Sequence, residues 1–327
     1  MLETLPLVLF IVMTELSIGA FTVLYVLDLR SEVKRSFLVT YGVIYIVLTG
    51  LTYLFQQNFS TPALLNTFTL LDKTWTGYLS LPLLLFLLLL LSYNLFLWLD
   101  KTAGVDGKKA LAQGQSPRFR ILRLISGALT VLAGLTTLFI MAMIYRPLAA
   151  GGIGGAFVVA SFFAAALALG GVMTAMWLGH WYLVTPALSE RPLLFATTLV
   201  MLGLLAQILI ALISGTTTTS ANVHNSSVPT VTATATTTVG NATPGAGSHN
   251  SPVKPANAPV ATPLSIDAIG WLRILVSFIM PLILGALAWK LIRDRSFQSA
   301  TGMLYLVVVL TIAGEAMGRG LFLVGLQ

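Results

Sequence analysis

Four ionisable residues of this chain lie inside long apolar stretches, where a charged group is poorly solvated. Glu15 lies in the first such stretch, His180 in the fifth, and Glu315 and Arg319 in the last. A charge at the centre of a membrane costs on the order of 3 kcal/mol, so each of these residues needs a partner, a polar cavity or a proton. They are therefore our candidates for a proton-handling or quinone-binding site.

Glu315 and Arg319 are four residues apart, so on a helix they share one face and can pair. Glu15 and Glu315 each lie about 15 Å from the outer end of their stretches, at 1.5 Å per helical residue. If the first and last helices are neighbours, two carboxylates share one guanidinium, and we expect Glu15 to be the one that keeps a proton. The alternative is a buried ion pair that only fixes helix packing.

His180 is the one histidine within an apolar stretch. It belongs to the run Gly179-His180-Trp181-Tyr182, and such aromatic residues are typical of the membrane interface. Contact with a quinone or other ligand and structural contact with lipid headgroups both fit this position. Because no second histidine lies in an apolar stretch, a haem held by two histidines of this chain is excluded.

The sequence lacks the usual residue patterns for metal and phosphate chemistry. Cysteine is absent, which excludes disulfides, iron–sulfur ligation and a cysteine nucleophile in this chain. Neither an H-E-x-x-H zinc motif nor a Walker loop occurs. We therefore predict no metal site and no covalently bound cofactor.

Composition indicates which elements must position the four candidates. The chain has 327 residues, of which 57% are hydrophobic and 9% charged, with a mean hydropathy of +0.91, and this is typical of a polytopic membrane protein. Continuous Leu and Phe runs exclude a β-barrel, whose strands alternate, so the predicted fold is all-α. Eight stretches are long enough to span a bilayer: 5–27, 36–55, 77–99, 122–145, 153–184, 193–214, 268–292 and 299–325.

The basic residues predict the orientation of these helices. Thirteen of the 18 Lys and Arg fall on one side of the predicted membrane, which places both termini outside by the positive-inside rule. Basic residues in the short loops between the helices explain the net charge of +7. We therefore expect the chain to contact the lipid bilayer and not to bind nucleic acid. We expect a multi-pass protein of a prokaryotic plasma membrane.

One membrane domain is predicted, interrupted by a polar segment. Residues 1–214 hold six helices and residues 267–327 hold the final two. Residues 215–266 are rich in Thr, Ser, Ala, Pro and Asn, a composition that cannot bury enough apolar surface to fold. We predict a long disordered outer loop there.

Small residues predict where helices approach closely. The fifth stretch carries Ala160 and Ala164 in a four-residue repeat, and the last carries Gly314 and Gly318. Such spacing lets backbones pack against each other in a membrane. We assign these four residues to structural packing and expect the fifth helix to be central.

The last helix also carries a family resemblance. It reads Ala313-Gly314-Glu315-Ala316-Met317-Gly318-Arg319-Gly320-Leu321-Phe322, which resembles the A-G-E-x-x-G-R-G-x-F run in the membrane anchor subunit of dimethyl sulfoxide reductase. The opening Leu5-Pro6-Leu7-Val8-Leu9-Phe10 is similar to the family's W-P-L-x-x-F. The family resemblance implies eight helices, both termini outside, and attachment of iron–sulfur and molybdopterin subunits that receive electrons from menaquinol.

The chain departs from that family where the family's quinol motifs lie. In place of His-x-G-x-P-x-R it reads Asn58-Phe59-Ser60-Thr61-Pro62-Ala63-Leu64, and in place of L-S-x-E it reads Leu79-Ser80-Leu81-Pro82. The histidine, arginine and glutamate of those motifs have no counterparts. The resemblance thus implies a divergent anchor or a relative with a relocated quinol site.

Together these features predict an anchor-like, quinone-interacting subunit of a respiratory or molybdopterin oxidoreductase complex. Such a subunit is not catalytic alone, and its iron–sulfur and molybdopterin partners would bind at the outer face. Two alternatives remain open: a proton-coupled transporter that uses Glu15 and Glu315, and an orphan membrane scaffold without a ligand.

Overall fold

A computed structural model describes residues 5–105, 107, 118–149, 152–185, 189–223, 272 and 274–323. Within these ranges the regular structure is entirely helical, and eight helices are long and apolar enough to cross a membrane. The all-α prediction is confirmed. The helices are α1 Leu5–Arg30, α2 Arg35–Phe59, α3 Ser80–Leu99, α4 Arg118–Tyr145, α5 Gly152–Val184, α6 Arg191–Val223, α7 Met280–Arg293 and α8 Phe297–Leu323.

Short helical turns accompany the long helices. Single turns at Pro62–Leu65 and Lys73–Thr76 lie between α2 and α3, and a 3₁₀ turn at Arg146–Leu148 follows α4. A π-helical turn, Leu275–Ile279, leads directly into α7. The helix α6 runs on to Val223, into the segment that we predicted as loop; the remainder of that segment, 224–266, lies outside the described residues.

The helix α1 forms the centre of the bundle. In its most apolar window 83% of the residues are buried, against 33–56% in the other seven helices. It packs against α2, α4, α5 and α8. A helix that is apolar all round must be covered on every side, so α1 lies between one group formed by α2 to α4 and another formed by α5 to α8.

Glycines let α1 and α5 touch through their backbones. A Cβ atom at Gly19 would lie 1.8 Å from the carbonyl oxygen of Ala166, and one at Gly170 would lie 2.0 Å from the carbonyl carbon of Gly19. Since real Cβ atoms do not approach so closely, only glycine fits at this crossing. The contact places the outer half of α5 beside Glu15.

The predicted small-residue stripe of α5 packs only in part. Ala164 is buried, and a Cβ at Gly203 of α6 would lie 2.7 Å from the Ala168 nitrogen. Ala160 is exposed, so the described helices leave it largely uncovered, and its assignment to packing stays a prediction. The prediction that α5 is central is supported by its packing on α1, α4, α6 and α8.

Candidate functional site

Arg319 joins the two carboxylates that the sequence singled out. Its Nη2 donates a hydrogen bond to Oε1 of Glu15, and its Nε lies 2.9 Å from Oε1 of Glu315. The Glu15 side chain is fully buried, and those of Arg319 and Glu315 are 6% and 13% exposed. The structure thus brings α1 and α8 together at one depth through these three residues.

The guanidinium of Arg319 is also held by α5. Its Cζ lies 3.9 Å from the ring centroid of Phe162, and its Nη1 lies 3.4 Å from Oγ of Ser161. Phe162 in turn stacks on Tyr145 of α4, with ring centroids 6.0 Å apart. A desolvated cation over an aromatic face contributes about 2 kcal/mol. Residues of α1, of α5 and of its own helix α8 therefore hold this arginine in place.

The two carboxylates differ in their remaining contacts. Gln207 of α6 donates from Nε2 to Oε2 of Glu315 at 2.9 Å, so both oxygens of Glu315 have partners. Oε2 of Glu15 is buried and has no hydrogen-bond partner among the described residues. A buried polar atom left unpaired costs about 1–3 kcal/mol, which a proton or a water molecule at this oxygen would offset. Retention of a proton by Glu15 stays a prediction.

A cleft of about 540 Å³ opens above Glu315 and Arg319, towards the ends of α5 to α8 that the basic residues predict to lie outside. Its polar lining consists of Ser161, Gln207, Ser277, Glu315 and Arg319. Its other walls are apolar, as in most small-molecule sites, which have volumes of about 300–1,000 Å³. The larger apolar residues among these walls are Leu148, Phe157, Val158, Ile210, Phe278, Leu321 and Phe322.

The predicted packing glycines of α8 lie beside this cleft. A Cβ atom at Gly314 would lie 2.5 Å from the Cα atom of Ser277, so α8 and the π turn are in backbone contact there. Gly318 is buried one turn further along α8. Both glycines line the cleft.

His180 does not belong to this cluster. It lies near the opposite end of α5, where it is exposed and its Nδ1 is 3.4 Å from the Tyr305 hydroxyl. The next residue, Trp181, packs edge-on against Phe37 at 5.7 Å between ring centroids. The structure therefore separates His180 from the two carboxylates.

Sequence reasoning missed a second buried ion cluster. Nη1 of Arg123 lies 3.2 Å from Oδ1 of Asp28, and its Nε lies 3.5 Å from Oδ2 of Asp100. The Tyr93 hydroxyl donates to Oδ2 of Asp28 at 2.9 Å. Arg123 lies at the start of the predicted span 122–145 and Asp100 directly after the span 77–99, and the side chains of both are at most 2% exposed. The sequence feature that could have indicated this cluster is Asp28, an acidic residue directly after the first apolar stretch.

No protein-family model, no curated protein and no solved structure matches this chain.

Proposed function

We propose that this chain is an anchor-like, quinone-interacting subunit of a respiratory or molybdopterin oxidoreductase complex in a prokaryotic plasma membrane. The observation that carries the proposal is the cleft at the outer half of the bundle, which Glu315 and Arg319 line, with the fully buried Glu15 paired to Arg319 behind them. In this proposal the cleft takes the place of the quinol site that the anchor family forms with its His-x-G-x-P-x-R and L-S-x-E motifs, which this chain lacks.

The residues of the cleft suit a quinone such as menaquinone. A quinone headgroup is flat and largely apolar and carries oxygen atoms that need hydrogen-bond partners. Phe157, Phe278 and Phe322 supply apolar walls, while Gln207 and Ser277 supply polar groups. When a quinol is oxidised it gives up protons, and Glu315 is a carboxylate at the cleft surface that can accept one.

The position of the cleft also fits an anchor role. It lies towards the end of the bundle that the basic residues place outside, where iron–sulfur and molybdopterin subunits would attach. In such a complex the electron acceptor belongs to the partner subunits, so this chain alone is not catalytic.

The first test measures binding of menadione, a tail-less naphthoquinone, to the full chain in lipid nanodiscs by titration calorimetry. We expect saturable binding, and an Ala211→Trp variant should weaken it at least about tenfold because the indole fills the cleft. Ala211 and Ala313 are both exposed, but only Ala211 lines the cleft, so Ala313→Trp is the matched control. No saturable binding, or equal binding by both variants, would contradict the proposal.

The second test concerns the partner subunits. Affinity purification of the chain from its native membrane should recover a protein with iron–sulfur clusters, detected by electron paramagnetic resonance. Because the anchor role places this partner outside, brief protease treatment of the outer face should abolish its recovery. Recovery of the chain alone would contradict the anchor role.

A proton-coupled carrier is the second candidate, since two buried carboxylates on one guanidinium form a cluster that can exchange a proton. It differs from the anchor in a measurable property. A carrier reconstituted alone into liposomes would move a substrate in response to a pH gradient, whereas an anchor would not.

A further inference from the structure

We propose that Ser277 is the residue that recognises the headgroup of the ligand in the cleft, by a hydrogen bond from its hydroxyl to a ligand oxygen. This inference rests on the proposed quinone-binding function and names the contact that would select for oxygen atoms. Two observations support it: the geometry of the π turn, and which polar side chains of the cleft lining already have hydrogen-bond partners.

The π turn has a physical cause in Pro281. Proline lacks an N–H, and within a helix its ring clashes with the carbonyl four residues earlier, which here is that of Ser277. The backbone responds by widening: the Met280 N–H bonds to the carbonyl of Leu275, five residues back. Single π turns of this kind occur frequently at functional sites.

This widened turn presses Ser277 against α8. A Cβ atom at Gly314 would lie 2.7 Å from the Ser277 Oγ, so this hydroxyl sits directly beside the backbone that precedes Glu315. Ser277 is 6% exposed and lines the cleft. The turn therefore places a nearly buried hydroxyl next to Gly314, the residue before Glu315.

The Ser277 hydroxyl also lacks a partner, unlike the other polar groups of the lining. Ser161 donates to the Val158 carbonyl at 2.8 Å, and Gln207 donates to Glu315. The Oγ of Ser277 is buried and has no hydrogen-bond partner among the described residues. Buried hydroxyls are normally paired, so Ser277 contributes an unpaired hydroxyl to the wall of the cleft.

The charges beneath the cleft restrict the class of ligand. Two carboxylates share the single guanidinium of Arg319, which disfavours an anionic ligand such as a phosphate. The apolar walls disfavour a strongly hydrated cation. A neutral headgroup with oxygen atoms on an apolar ring is the ligand that fits.

The test compares two probes of similar shape, menadione and methylnaphthalene, which lacks the quinone oxygens. Both are titrated against the full chain in nanodiscs, with empty nanodiscs subtracted. We expect Ser277→Ala to weaken menadione binding about fivefold, the effect of one lost hydrogen bond, and to leave methylnaphthalene binding unchanged. Ser126→Ala is the matched control, because Ser126 is also 6% exposed but lies on α4, where it donates to the Leu89 carbonyl.

A backbone variant gives an independent check. Pro281→Ala allows an ordinary helix, which would rotate Ser277 away from the cleft. It should weaken menadione binding as Ser277→Ala does, and the double variant should lose no more than either single one.

The outcomes separate the two proposals. Unchanged menadione affinity in Ser277→Ala, or an equal loss for both probes, would overturn the role of Ser277 alone. Absence of menadione binding to the wild-type chain would contradict the quinone-binding function itself and this inference with it.

Discussion

At the scale of single residues, two arginines organise the interior of this protein. Arg319 pairs with Glu15 and Glu315 in the outer half, and Arg123 pairs with Asp28 and Asp100 near the inner ends. A buried ion pair need not stabilise a fold more than apolar residues would, but removing one partner leaves an uncompensated charge and is costly. The outer cluster borders the cleft described above.

Removal of the outer arginine should therefore destabilise the protein strongly. We expect Arg319→Met to lower the free energy of unfolding by about 3–5 kcal/mol, since Glu15 and Glu315 lose their shared partner. Arg295→Met is the control, because the Arg295–Glu190 pair is largely exposed and such pairs contribute about 0–1 kcal/mol. Unfolding in detergent, followed by circular dichroism, measures both, and equal effects would contradict the structural role.

Glu15→Gln separates proton handling from packing. In the assembled complex we expect quinol-dependent turnover to fall about a hundredfold, the size of a lost proton-transfer group. Lys101→Gln, at an exposed position, should leave turnover unchanged. Unchanged turnover in Glu15→Gln would reject proton handling and leave the alternative of an ion pair that only fixes helix packing.

At the scale of elements, helix contacts decide which residues meet. Hydropathy alone predicted the eight spans, and the four-residue spacing predicted that Glu315 and Arg319 can pair. Equal depth predicted that Glu15 joins them only on the condition that the first and last helices are neighbours, which the sequence does not settle. Ser277 and Gln207 could not be predicted, because which face of α6 and of the π turn before α7 points inward depends on packing. Ala160 shows the same limit: a stripe of small residues does not reveal where along its length a neighbour stops covering it.

The crossing of α1 and α5 gives a prediction at this scale. Gly170→Ala should destabilise the fold by at least about 2 kcal/mol, because the new methyl group would overlap the backbone of Gly19. Gly50→Ala is the matched control: it lies within α2 with nothing within 4 Å of a new Cβ, so its stability should rise slightly. Thermal unfolding midpoints of both variants check this, and equal destabilisation would argue against the crossing.

At the scale of the whole molecule, the inner ends of the helices are tied together by polar contacts. Arg35 of α2 donates from Nε to the Asp100 carbonyl at 3.0 Å, at the end of α3. The backbone N–H of Val105 donates to the Val33 carbonyl at 2.9 Å, so the connection after α3 rests on the connection after α1. Some basic residues that predicted the orientation therefore also hold this end together.

The orientation can be measured because the chain has no cysteine of its own. Ala63 and Lys101 are both exposed and lie at opposite ends of the bundle. In cells whose plasma membrane is intact and whose outer envelope lets small reagents through, a membrane-impermeant maleimide should label Ala63→Cys. It should leave Lys101→Cys unlabelled until the plasma membrane is permeabilised. The reverse pattern would place the termini inside.

The most direct measurement is photolabelling of the full chain with an azido-naphthoquinone, followed by mapping of the labelled residues by mass spectrometry. We predict label on the walls of the cleft, at Ile210, Phe278 and Phe322, with competition by menadione. Label confined to residues 58–82 or to the surroundings of His180 would contradict a quinone site above the pair of carboxylates bridged by Arg319.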